Sequence, residues 1–235
     1  MGVRVAALYD VHANLPALEA VLEEVERERP DVVLFGGDVI WGAWPRETLE
    51  LALSLGGRAR FVMGNTDRKV LVPGGKSRTW VRKRLKKRQR ALVAGWPALA
   101  RLDVDGLGPT LFCHATPRRD DEVVLPGWEG SSWSGALAGV DERVVVCGHT
   151  HVQFDIEIEG HRVVNPGSVG NPTVRPAAWW ALLGPDVELR ATEYDSVGTA
   201  AAWRETGFPR TDFADELLDP YPVERVLADL DALAP

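Results

Sequence analysis

Seven side chains in this sequence are suited to holding metal ions: Asp10, His12, Asp38, Asn65, His114, His149 and His151. They stand in the short motifs Asp10-Val11-His12, Gly36-Gly37-Asp38, Gly64-Asn65-Thr66-Asp67, Cys113-His114 and Gly148-His149-Thr150-His151, which take up four of the five histidines. Imidazole and carboxylate donors, with no thiolate required, suit Mn, Fe, Co, Ni or Zn. Seven donors are too many for one tetrahedral ion, so two ions sharing one carboxylate fit the inventory better. Two cations roughly 3.5 to 4 Å apart serve in-line displacement at phosphorus, because they offset charge on both the attacking and the leaving oxygen.

The elements that must position these donors are legible beside them. Each motif follows an apolar run of four to seven residues, such as VRVAALY, DVVLF, ARFVM, PTLFC and RVVVC. Short apolar runs bounded by glycine or polar residues read as buried strands. Ligands of open α/β sheets bind beyond the carboxyl ends of strands, so five such loops can converge on one pocket. Strands near residues 3–9, 31–36 and 59–63 alternate with helices near 15–28 and 46–55, the pattern of a parallel sheet. Pro16 suits a first helical turn. The second half carries hairpin signals at Gly106, at Glu159-Gly160 and at Gly184-Pro185-Asp186. The expected fold class is therefore α/β, with two packed β-sheets flanked by helices.

Taken in order, D-x-H, G-G-D, G-N-x-D, C-H and G-H-T-H resemble the calcineurin-like metallophosphoesterases, and most of all their compact bacterial members. Those members share a helix like Leu15-Pro-Ala-Leu-Glu-Ala-Val-Leu and a stretch like Asn165-Pro-Gly-Ser-Val-Gly170; the resemblance runs from residue 3 to about residue 195. It implies a two-sheet, helix-flanked αββα sandwich. It also implies that Asp10, His12 and His151 bind one cation, that Asn65, His114 and His149 bind the other, and that Asp38 bridges them. The catalytic residues would be Asp38, His114 and Asn65, acting with a metal-bridging hydroxide. One position departs from the pattern: many members carry His where this chain has Thr66. A hydroxyl cannot supply a proton near neutral pH, so the departure favours good leaving groups or a proton donor from elsewhere. Asp67 would ordinarily orient that His, and here it reads as a solvated or backbone-capping residue.

With 235 residues and balanced composition, the chain is expected to form a single domain over 1–235, with a basic helical segment at about 68–95 and a C-terminal helical segment at about 195–235. No long apolar run or leader pattern is present, so the expected location is cytoplasmic, with no membrane partner. Cys113 and Cys147 read as free buried thiols, and His161 as an exposed turn residue. Net charge is −7, which argues against stable nucleic-acid binding. Residues 68–90 nevertheless hold 11 Lys or Arg and no acid. From Thr79 to Val93 the pattern fits a docked helix, either overhanging the site to attract a polyanion or lying as a solvated surface helix.

Further candidates for substrate contact are Asn14, Thr66, Trp41, Arg118 and Arg175. Asn14 could instead cap the first helix. Trp41 and Trp44 could form an aromatic shelf for a base, although core packing is the more common fate. Trp179 and Trp180, adjacent on a strand, point to opposite faces. Arg118, Arg119 and Arg175 could clamp a phosphate oxygen or form exposed ion pairs.

The favoured reading is a dinuclear phosphoesterase, with Mn first among the five metals, acting on a small phosphodiester or nucleotide-type substrate. The alternatives are a phosphomonoesterase or phosphoprotein phosphatase and, in another class, a metal-binding scaffold with little activity, like the scaffolding subunit of the retromer coat.

Overall fold

The alternation of strand residues decides how this chain layers. In β1 (Val5–Leu8) the residues Val5 and Ala7 turn one way while Ala6 and Leu8 turn the other, and all four are fully buried. A strand buried on both faces must lie between layers. In the computed structural model, which describes residues 2–125 and 131–231, β1 lies at the centre of a five-stranded sheet with the order β10-β9-β1-β2-β3. β2 (Val32–Phe35) and β3 (Ala59–Phe61) run parallel to β1, whereas β9 (Ala178–Leu183) and its hairpin partner β10 (Val187–Thr192) close the other side antiparallel.

The second sheet has the order β4-β5-β6-β8-β7. It comprises β4 (Leu99–Val104), β5 (Gly108–Cys113), β6 (Val144–Val146), β7 (Phe154–Ile158) and β8 (His161–Asn165). β5, β6 and β8 are parallel, and two hairpins supply the antiparallel edges. The three expected hairpins form at the three expected turns. Val5, Ala7, Tyr9 and Leu34 of the first sheet meet Phe112, Val146 and Val164 of the second in the central core. Outside the first sheet, Ala6, Leu8 and Phe35 pack under α1 (Leu15–Glu28) and α2 (Pro45–Ser54). Outside the second sheet, Val145, Cys147 and Val163 pack against Trp133 and Leu137, Trp133 lying in α6 (Ser131–Ala136). Both cysteines are free and buried.

The basic segment is not one helix. After α3 (Asn65–Leu71) come α4 (Lys76–Arg84) and α5 (Lys87–Val93), separated at Leu85, whose extended backbone ends α4 and whose side chain is buried. Val81, Leu85 and Val93 dock on the body as the apolar pattern requires, but the docking needs a bend between them. Beyond β10 lie α7 (Ser196–Glu205), α8 (Asp212–Glu216) and α9 (Val223–Asp231). Among the described residues no helix is long and apolar enough to cross a membrane.

The start of α1 ties this architecture to the ligand loops. Asn14 is fully buried; its Oδ1 accepts from the Ala17 N–H at 3.3 Å, and its Nδ2 donates to the Gly170 carbonyl at 3.0 Å. The capping alternative thus holds, and one side chain joins the helix start to the loop after β8. Asn14→Ala removes a cap of about 1 kcal/mol and strands a buried carbonyl for about 1 kcal/mol more. The expected result is a lower urea midpoint at unchanged slope, measured by circular dichroism.

Candidate metal centre

Five loops at strand ends bring the predicted donors together, and they do so with unusual backbone geometry. Asp10, His12, Asp38, His149 and His151 all have positive φ, between 48° and 69°. That region is uncommon for residues with a Cβ and persists where the surroundings over-determine it. Here the surroundings are explicit. The Asp10 N–H donates to the Gly37 carbonyl at 3.1 Å, and the His12 N–H to the Asp38 carbonyl at 2.8 Å. Gly170 N–H and Ser168 Oγ both donate to the Asp10 carbonyl, at 3.0 and 2.8 Å. The Asp10 Oδ2 accepts from the His149 N–H at 2.9 Å, which links the first loop to the last. A Cβ at Gly64 would run into Asp38, so glycine is needed there for close approach rather than for its φ.

The side chains converge on two carboxylates. Asp38 Oδ1 lies 3.4 Å from His114 Nε2, and its Oδ2 lies 4.0 Å from His12 Nε2. Asp10 Oδ1 lies 3.4 Å from His151 Nε2, 3.8 Å from His12 Nε2 and 3.9 Å from His114 Nε2. His114 is fixed by its Nδ1–H, which donates to the Gly36 carbonyl at 2.9 Å and leaves Nε2 facing the cluster; such a partner sets the tautomer of a ligating imidazole. The His149 ring stands 5.3 Å from that of His114. Asp10 Oδ1, Asn65 Oδ1 and His114 Nε2 are all buried with no hydrogen-bond partner. Buried polar atoms are rarely left unpaired, and oxygen and imidazole donors of this kind suit divalent cations. Asp10, His12 and His151 form one compact group, and Asp10, Asp38 and His114 another.

Electrostatics sort the histidines into two kinds. Burial opposes charge on His114, but Asp38 and then Asp10 outweigh it and hold the imidazole up to about 10. Burial would raise Asp38, yet the facing His114 pulls it well below the usual carboxylate range. His151 and Asp10 form a second pair of the same sense, raised and lowered respectively against the opposing effect of burial. His12 and His149 are pushed down to about 4 by burial, reinforced by neighbouring imidazoles. Cation binding would displace the protons of the first kind; the second kind is already neutral.

Asp67 is buried rather than solvated. It accepts from the Val39 and Ile40 N–H groups, each at 3.0 Å, and from the Gly64 N–H at 3.3 Å. Burial and the Asp38 charge lift its carboxyl to about 7 against the pull of those backbone donors. Its role is thus to cap the loop carrying Asp38, with no histidine at position 66 required. Thr66 donates its N–H to Asp38 Oδ1 at 2.8 Å, and its hydroxyl is buried without a partner.

The other predicted substrate contacts fare differently. Trp41 is buried edge-on to Phe208 and Phe213 and stands 5.9 Å from the His12 ring, so it backs His12 instead of forming an open shelf. Trp44 packs edge-on against Trp203. Arg175 lies over the Trp179 ring and 3.7 Å from Glu193. Arg118 lines a cleft of about 490 Å³ that opens beside His114, with Arg68 and Arg119, but its guanidinium is paired with Glu122. Among the described residues, none of α4 or α5 lines this cleft, although Arg68, at the start of the basic segment, does. Arg82 turns onto the Val70 carbonyl at the end of α3, Arg90 onto the Arg82 and Leu85 carbonyls across the bend between α4 and α5, Arg84 covers Trp80 and Lys86 faces Glu50 of α2. His161 is also not a free turn residue: it begins β8, and its Nδ1 donates to the Glu142 carbonyl at 2.8 Å.

Two supporting residues had no assigned role in the sequence reading. Asn165 donates to the Gly148 carbonyl at 3.1 Å and to Thr150 Oγ1 at 3.0 Å, while Ser168 holds Asp10 as described. Their signal was the Asn165–Gly170 stretch, a polar loop after a buried strand.

Residues 3–185 match the calcineurin-like phosphoesterase superfamily domain, and the chain belongs to that superfamily. It is 25% identical over 222 residues to an uncharacterized protein of Methanocaldococcus jannaschii, covering 81% of this chain and 88% of that one. A crystal structure of a metallophosphoesterase from Sphaerobacter thermophilus is 27% identical, with a TM-score of 0.73, covering 92% of this chain and 98% of that one. A hypothetical protein of Pyrococcus horikoshii OT3 shares the fold at a TM-score of 0.80 and 20% identity, covering 92% and 97% of the two chains.

Asp67→Ala leaves three buried N–H groups without an acceptor, whereas Asp67→Asn keeps one oxygen for them. The alanine variant should lose about 2 to 3 kcal/mol, or roughly 4 to 12 °C in melting temperature for a chain of this size. The asparagine variant should lose clearly less in the same calorimetric comparison.

Proposed function

We propose that this member of the superfamily hydrolyses a phosphate ester with the help of two divalent cations, and that a phosphodiester is its preferred type of substrate. The observation that carries the reading is the Asp38 carboxylate, which turns one oxygen to His114 and the other to His12. A carboxylate set between two groups of imidazoles is what a shared ligand requires. Asp10, His12 and His151 would hold one ion, Asn65, His114 and His149 the other, and Asp38 both. Bound there, the cations would polarise the phosphoryl oxygens and lower the pKa of the attacking water.

The chain's own residues do the rest. The Gly36 carbonyl orients His114, Asp67 fixes the Asp38 loop, and the clamp from Ser168 and Gly170 fixes Asp10. Position 66 offers no titrating side chain to protonate a departing alkoxide. This is the reason to favour a diester, or any ester with an acidic leaving group, over an alkyl monoester. Manganese is the first choice among Mn, Fe, Co, Ni and Zn, all of which accept oxygen and imidazole donors.

Metal-stripped protein reconstituted with Mn, Co, Ni or Zn should hydrolyse bis-p-nitrophenyl phosphate faster than p-nitrophenyl phosphate. Asp38→Asn should lower the bound metal, measured by elemental analysis after dialysis, and reduce turnover by at least about a hundredfold, the scale of a lost electrostatic contact to the reacting phosphoryl group. Two ions bound with neither ester turned over would favour the scaffold reading, and a preference for the monoester would favour a phosphatase.

A further inference from the structure

A second cleft, of about 230 Å³, is lined by His149 and His151 and shares no lining residue with the one beside His114. One wall is the Gly148-His149-Thr150-His151 loop; the other belongs to the C-terminal helices, which lie outside the residues matched by the superfamily domain. The two walls are tied together. Thr173 Oγ1 donates to the His151 carbonyl at 3.1 Å, and the Val174 N–H donates to the Tyr221 carbonyl at 3.3 Å. Val174 holds a φ of 70°, rare for a β-branched residue, so this junction is a constrained one. Phe213, at the start of α8, stands edge-on to the His12 ring at 6.0 Å and fixes the helix pair against the ligands.

The chemistry of the two clefts differs. Arg68, Arg118 and Arg119 line the first. Among the described residues no Lys or Arg lines the second, where Glu216 and Asp229 stand among Tyr221, Val226 and Leu230. Asp229 lies 3.7 Å from Arg225, and Arg225 covers the Tyr221 ring at 4.1 Å. Glu216 is half-buried beside the Asn171 side chain and has no cation of its own. An anionic group in this cleft meets Glu216 and Asp229 on the helix wall, and a cationic one meets, on the other wall, the His149 and His151 imidazoles that would hold the cations. A group with hydroxyl donors and an apolar body satisfies both walls, and the cleft is smaller than the usual pocket for a whole ligand, so it fits one arm of a substrate.

We propose that this cleft is the subsite for an uncharged, hydroxyl-bearing ester arm of the substrate, such as a sugar, and that Glu216 selects that arm by accepting its hydroxyl protons. The inference rests on the phosphoesterase reading and gives that substrate its two ends: the phosphate at the cations and a polyol arm under α8 and α9. Glu216 is here a specificity-determining residue.

The test uses diesters with a common leaving group, thymidine 5′-(p-nitrophenyl phosphate) and p-nitrophenyl phosphorylcholine, on the full chain loaded with manganese. Wild type should favour the thymidine ester in kcat/KM by about tenfold or more, the scale of one hydrogen bond to a charged acceptor. Glu216→Ala should bring the ratio close to one. Val226→Trp, placed to fill the cleft from α9, should do the same without touching the carboxylate. A readout free of turnover is saturation-transfer NMR of thymidine with metal-free protein, which should show transfer to the sugar protons in wild type and its loss in Val226→Trp. A ratio unmoved by both substitutions overturns the subsite, and so does a wild-type preference for the choline ester. If neither ester is turned over under any metal, the phosphoesterase reading fails, and the NMR result alone then decides whether the cleft takes a sugar.

Discussion

Two carboxylates and four imidazoles share a small, largely buried volume at the strand ends, and everything around them answers to the free energy of holding them there. A buried carboxylate without a partner is strongly unfavourable, and Asp38 and Asp10 are held by His114 and His151, which face them at 3.4 Å, together with the Thr66 and His149 N–H groups. The same proximity would give the cluster an affinity for cations. The carboxylates draw positive charge toward His114 and His151, a charge that a bound cation would replace. The strained φ values of five donors belong to this arrangement, since in each case the backbone is turned to aim a side chain inward and is held by bonds from a neighbouring loop.

The two-sheet architecture is what lets such loops meet. Parallel β1, β2 and β3 release Asp10, Asp38 and Asn65 along one edge of the first sheet, and parallel β5 and β6 release His114 and the His149–His151 loop from the second. The central core of Val, Leu and Phe side chains sets the distance between the two edges. The supporting residues Asn14, Asp67, Asn165 and Ser168 are polar, buried and bonded mainly to backbone. They keep loops in place that would otherwise relax toward ordinary backbone geometry.

Much of this was legible in the chain because the signals were local. A buried strand followed by glycine and a donor residue is a short pattern, and it located β1, β2, β5, β6 and the donors they carry; the hairpins were equally plain from their turns. The break between α4 and α5 was not legible, because the apolar spacing from Trp80 to Val93 fits a continuous helix and only the packing of Leu85 against the body interrupts it. Trp41 was ambiguous for a similar reason. Its cover, Phe208 and Phe213, comes from far along the chain, so nothing near residue 41 says whether its face is open. The pairing of Arg118 with Glu122 and of Arg175 with Glu193 also depends on loop conformation, which composition does not encode.

The central claim is that Asp38 lies between two cations. Anomalous diffraction from crystals of the manganese-loaded protein tests it most directly, since it locates metal independently of activity. The account predicts two peaks roughly 3.5 to 4 Å apart, with the Asp38 carboxylate between them and His114 and His12 on opposite sides. A single peak coordinated by Asp10 and the histidines, with Asp38 bound to nothing but protein, would contradict it.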